Sequence, residues 1–191
     1  MTPSIKTFIF MGKPGSGKGT QAKLLGSRLA FPVFAAGETL RAMAKEDSLV
    51  GRRIGEDIDA GRLVPHWLAT FLFQRSIFSI PEESGIIFDG FGRKKEEAEL
   101  LSETMAWLSR PYRVIHLVVS DEEVQRRIEG RSVGEKRADD EAVDVRLLEY
   151  RAHTEPAITH FTECGVVIDI DGAQAPEKVF ADIESAVSTL S

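Results

Sequence analysis

The first two dozen residues constrain this chain more than any others. An apolar run, Thr7–Met11, passes into Gly12-Lys13-Pro14-Gly15-Ser16-Gly17-Lys18-Gly19-Thr20-Gln21, and helical spacing follows at once with Ala22, Leu25 and Leu29. Glycines let a backbone curl until successive N–H groups converge on phosphate oxygens. The helix behind such a loop turns its positive end toward the same point, and Lys18 adds a full charge. The strict form of this phosphate-binding pattern has Ser or Thr directly after the lysine. Here Gly19 stands in that place and Thr20 comes one residue later.

Four further β-rich runs follow: Pro32–Ala35, Gly85–Asp89, Val114–Val119 and Val166–Ile170. Most are nearly continuous in apolar residues, as expected of parallel strands covered on both faces. The stretches between them have helical spacing, Val179, Ile183 and Val187 marking the last helix. Strand and helix in alternation predict an α/β fold: a doubly wound, five-stranded parallel sheet with ligands beyond the carboxyl ends of its strands. Two stretches are longer than a crossover requires. Residues 37–84 are helical throughout, and residues 132–145 are polar and charged; both are expected to be excursions that move on ligand binding.

Composition sets outer bounds. A chain of 191 residues, 42% hydrophobic and 28% charged, fits one soluble domain. Its net charge of −6 argues against a broad nucleic-acid surface. No apolar run is long enough to cross a bilayer, and the first residues do not form a signal peptide. Cys164, the only cysteine, excludes an intrachain disulfide and a cysteine-built zinc site and fits a reducing compartment. A cytoplasmic protein, monomeric by default, with no membrane or nucleic-acid partner is expected.

The loop Gly12–Gln21 resembles the GxPGxGKGTQ loop of adenylate kinases and their UMP/CMP kinase relatives, the shifted threonine included. The resemblance runs through nearly the whole chain. Ala36-Gly37-Glu38-Thr39-Leu40-Arg41-Ala42 is similar to (S/T)(T/A)GDLLRA, Gly61–Pro65 to GxLVP, and Asp89–Arg93 to DGFPR. Arg127 and Arg131, then Arg137-Ala138-Asp139-Asp140 and Arg146, resemble the short-lid pattern RLxxR…GRxDD…R, and Asp171-Gly172 resembles the loop after the last strand.

The resemblance implies a P-loop NTPase fold and transfer of the ATP γ-phosphoryl group to a nucleoside monophosphate, with AMP the leading acceptor. CMP, UMP or GMP kinases, and a catalytically weakened adenylate-binding module, are the alternatives. It implies a core of residues 1–35, 67–130 and 147–191, a monophosphate-binding excursion at 36–66 and a lid at 131–146. By position, Gly12, Pro14, Gly15, Ser16, Gly17, Lys18, Gly19 and Thr20 would bind ATP together with Arg127, Arg131 and Gly172. Ala36, Gly37, Arg41, Leu63, Val64, Gly90, Arg93, Glu97, Arg137 and Arg146 would surround the acceptor. Lys18, Arg93, Arg131, Arg137 and Arg146 would be catalytic. Asp89, through water, would hold Mg²⁺, with Thr20 a further candidate. Such chemistry needs cations, because it consists of bringing two polyanions into line and stabilising charge on the group in transit.

Four positions depart from the pattern. Glu38 replaces Asp, and Ala36 stands where many adenylate kinases have Thr. Gly92 replaces Pro, which is expected to loosen the loop that aims Arg93. Glu97 stands where adenylate kinases place a base-reading Gln. A carboxylate there suits the paired N–H donors of guanine better than the donor and acceptor of adenine. The alternative is a Glu97 turned to solvent or paired with Lys94, leaving the backbone near Val64 to read adenine. Lys45, Arg52, Arg53, Lys94 and Lys95 are expected to be surface cations.

Overall fold

The computed structural model describes residues 5–130 and 142–190. Strand β1 (Thr7–Gly12) leads into helix α1 (Lys18–Leu29), then β2 (Val33–Ala35). Three helices follow, α2 (Ala36–Ala44), α3 (Leu49–Asp59) and α4 (His66–Phe78), before β3 (Ile86–Asp89), α5 (Lys95–Trp107), β4 (Tyr112–Val118) and α6 (Asp121–Glu129). After the gap come α7 (Val143–Glu149), a π-helical turn (Tyr150–Thr154), α8 (Glu155–Glu163), β5 (Val167–Asp171) and α9 (Pro176–Ser188).

The five strands form one sheet in the order β2-β3-β1-β4-β5, every pairing parallel. All six residues of β1 are buried, because helices cover both faces of the central strand. Alternate side chains therefore enter different cores. Ile9 and Met11 join Ile86, Phe88, Leu72, Phe73, Leu101 and Phe161 on one side. Phe8 and Phe10 join Ile87, Ile115, Leu117, Leu25 and Ile183 on the other. Val179, Ile183 and Val187 of α9 are buried as their spacing predicts.

The chain moves from β1 outward to β2, returns to β3, and then crosses to β4 on the far side of β1. Neighbouring connections thus leave β1 and β3 in different directions, and a crevice opens above their carboxyl ends. The register Phe10↔Asp89 puts Asp89 beside the start of the glycine loop. The long stretch before β3 is helical as expected, but it breaks at two turns. Ser48 caps α3 by accepting from the Gly51 N–H (2.9 Å), and Gly61–Pro65 turns the chain into α4. Most of the polar stretch 132–145 lies outside the described residues.

Candidate active site

Helix α1 begins at Gly17, which has φ +91° and no side chain that could cap the helix. Its first-turn N–H groups therefore stay available to an anion beside the loop. Lys18 curls back over this loop, its Nζ donating to the Lys13 carbonyl (3.2 Å). Lys13 itself is anchored outward by Asp121 at 2.6 Å, and Asp121 also pairs with Arg151 of the π turn. These bonds, led by that from Lys13, hold the Asp121 carboxyl below its ordinary range.

A cavity of about 420 Å³ opens above the loop. Gly12, Pro14, Gly15, Gly17, Lys18, Gly19 and Thr20 line one side, and Ala36, Gly37 and Arg41 of α2 line another. Leu63 and Val64 close the far end, Asp89, Gly90, Arg93 and Glu97 form the floor, and Arg146 and Tyr150 reach in from α7 and the π turn. Three sequence-predicted residues stand just behind the wall. The Arg127 guanidinium donates to the carbonyls of Gly172 (2.8 Å) and Ser16 (3.2 Å), joining α6, the loop after β5 and the glycine loop. Glu123 pairs with both Arg126 and Arg127, and their hydrogen bonds draw its carboxyl down to about 2. Arg131 and Arg137 lie outside the described residues.

The turn at the far end is held by side chains from three elements' distance. Glu149 Oε2 accepts from the Leu63 N–H (3.2 Å), and Lys94 Nζ donates to the Val64 carbonyl (3.1 Å). Lys94 is thus no free surface cation, whereas Arg52, Arg53 and Lys95 do pair on exposed faces with Asp47, Glu56 and Glu99. Glu97 does not turn to solvent, and its carboxylate hydrogen-bonds to the backbone ahead of its helix. It is 5% exposed, and its Oε2 accepts from the Arg93 N–H at 2.8 Å. Burial raises its pKa, opposed by the backbone N–H groups of Arg93 and Lys94. Sequence reasoning missed the contacts of Lys13, Lys94 and Glu149 because their partners are remote in the chain.

Asp89 offers a test for a cation. Its Oδ1 is buried without a hydrogen-bond partner among the described residues, and a Cβ on Gly19 would lie 3.0 Å from its Oδ2. An orphaned carboxylate oxygen is costly unless something positive reaches it. At the end of a strand beside a phosphate-binding loop, such an oxygen fits the water shell of a hard divalent cation. A side chain at position 19 would crowd this carboxylate.

The family model described as adenylate kinase matches residues 10–166. The chain belongs to the adenylate kinase family. The adenylate kinase of Leptospira biflexa is 35% identical to it over 92% of this chain and 96% of its own length. That of Thermus thermophilus is 37% identical over 94% and 95%, and that of Chlamydia felis 32% identical over 94% and 96%. Membership makes the chain a nucleoside-monophosphate phosphotransferase, and the all-parallel sheet with its loop after β1 is the P-loop architecture expected of an adenylate kinase.

Proposed function

We propose that this enzyme transfers the γ-phosphoryl group of ATP to AMP, giving two molecules of ADP, in the cytoplasm as part of nucleotide supply. The observation that carries the reading is the convergence of Lys18, Arg41, Arg93 and Arg146, from four separate segments, on one cavity. Two nucleotides that repel each other can be held in line only inside such a set of cations.

Each part then has a task. The glycine loop and the first turn of α1 take the ATP phosphates, with Lys18 on the terminal pair. Arg127, tied to Gly172 and Ser16, shapes the shelf for the ATP base. Arg41 and Arg93 grip the acceptor's phosphate, for which paired guanidinium bonds are suited. Arg146 bridges donor and acceptor across the transfer, with Arg131 and Arg137 of the lid completing the ring. Mg²⁺ bound with ATP would screen the terminal phosphates, its water shell held by Asp89 with Thr20 beside it. Leu63 and Val64 wall the acceptor's base. Residues 36–66 form the acceptor excursion and 131–146 the lid, on a core of 1–35, 67–130 and 147–191. No described helix is long and apolar enough to cross a membrane.

Turnover with AMP, CMP, UMP and GMP at saturating ATP and Mg²⁺ tests the assignment. AMP is expected to give the highest kcat/KM by at least tenfold. A higher value for any other monophosphate, or no turnover with all four, would refute it.

A further inference from the structure

The loop between β3 and α5 departs from the family's pattern at Gly92 and Glu97, and in the structure these two residues and Lys94 belong to one arrangement. Gly92 has φ +70°, a conformation closed to the proline of DGFPR, whose ring fixes φ near −65°. A Cβ at this position would also lie 3.1 Å from the Phe161 ring. Gly92 is therefore required by a different backbone path and is not a slackened version of the usual one. Along that path the Arg93 N–H donates to Glu97 Oε2 at 2.8 Å.

Glu97 stands in the first turn of α5 and reaches back to the Arg93 amide, two residues before the helix begins. Lys94, the residue before the helix, extends its ammonium to the Val64 carbonyl (3.1 Å). The Arg93 side chain leaves the same short loop across Gly90, where any Cβ would collide with its guanidinium, and enters the cavity. One buried carboxylate thus fixes the backbone from which two cations depart, one toward the centre of the cavity and one toward its far wall.

We propose that Glu97 is a positioning residue: through the Arg93 amide it aims Arg93 at the acceptor's phosphate and sets the loop from which Lys94 reaches the Leu63–Val64 turn at the acceptor's base. The inference rests on the reading above, that the acceptor lies between Arg93 and this turn. A carboxylate suits the task because it accepts the amide strongly, and the neighbouring Arg93 and Lys94 charges offset part of the cost of burying it.

Steady-state kinetics for both substrates test the proposal in Glu97→Leu, Glu97→Gln, Lys94→Met and the double variant Glu97→Leu/Arg93→Ala. Glu97→Leu should raise KM for AMP at least tenfold and lower kcat, with KM for ATP unchanged within twofold. Glu97→Gln keeps a carbonyl acceptor for Arg93 and should recover kcat/KM to within threefold of the native value. Lys94→Met should raise KM for AMP at unchanged kcat. In the Arg93→Ala background, Glu97→Leu should cost no more than Lys94→Met does alone. Full multiplication of the two effects would overturn the proposal. So would a Gln variant as impaired as the Leu variant, or one whose AMP-to-GMP preference rises tenfold, which would make Glu97 a reader of the base. A native enzyme without AMP turnover refutes the functional reading and the proposal together; an active one indifferent to Glu97→Leu refutes the positioning alone.

Discussion

Asp89 shows how much one side chain can reveal. Its strand places it beside the glycine loop, its Oδ1 is buried and unpartnered among the described residues, and a Cβ on Gly19 would lie 3.0 Å from its Oδ2. If its task is to order the water of Mg²⁺, Asp89→Asn should lower kcat by about a hundredfold, near 3 kcal/mol. It should also raise the Mg²⁺ concentration needed for half-maximal rate. Titrating Mg²⁺ at fixed ATP and AMP measures both, and an unchanged half-maximal concentration would remove Asp89 from the metal's surroundings. Asp89 and Lys18 were legible in the sequence because each sits in a contiguous motif whose chemistry is local. Lys94 was not, since its partner Val64 lies thirty residues away in the chain and a lone lysine at a helix start usually faces water. Gly92 was misjudged for a related reason: a glycine in place of proline reads as looseness until its φ of +70° is known.

At the level of elements, the proposed donor side is a joint between three pieces. Helix α6 is capped by Ser120, whose Oγ accepts from the Glu123 N–H (3.2 Å), and Arg127 near its end ties the glycine loop to the loop after β5. Asp121 at its start anchors Lys13 and the π turn, while His116 joins Asp169 (2.7 Å) to the Tyr150 hydroxyl (3.1 Å) beneath that turn. Removing the guanidinium should loosen the donor shelf alone. Arg127→Ala is expected to raise KM for ATP about tenfold or more, as the loss of charge-assisted bonds costs about 1.5–3 kcal/mol. KM for AMP should stay within twofold, and equal increases for both substrates would contradict a donor-side role. The strands of this region were readable from apolar runs to within two residues. The π turn was not, because its i→i+5 bonding depends on how α7 and α8 meet the sheet and has no sequence period of its own.

Across the whole molecule, topology does what no local motif can. The sheet order β2-β3-β1-β4-β5 brings the glycine loop, the Asp89–Arg93 loop and the loop holding Gly172 to one edge. The helical excursion before β3 returns over that edge, so that a Cβ on Gly61 would lie 2.9 Å from Ala142 and 3.2 Å from Arg146. A chain with a net charge of −6 thereby gathers Lys18, Arg41, Arg93 and Arg146 around one cavity. That gathering has a purpose only if two anionic substrates meet there and water does not intervene. Phosphorus NMR of the enzyme with ATP, AMP and Mg²⁺ follows the outcome directly. The account predicts that AMP and ATP fall together, that two ADP appear for each ATP consumed, and that no inorganic phosphate signal grows. Loss of ATP with release of inorganic phosphate and no loss of AMP would contradict it.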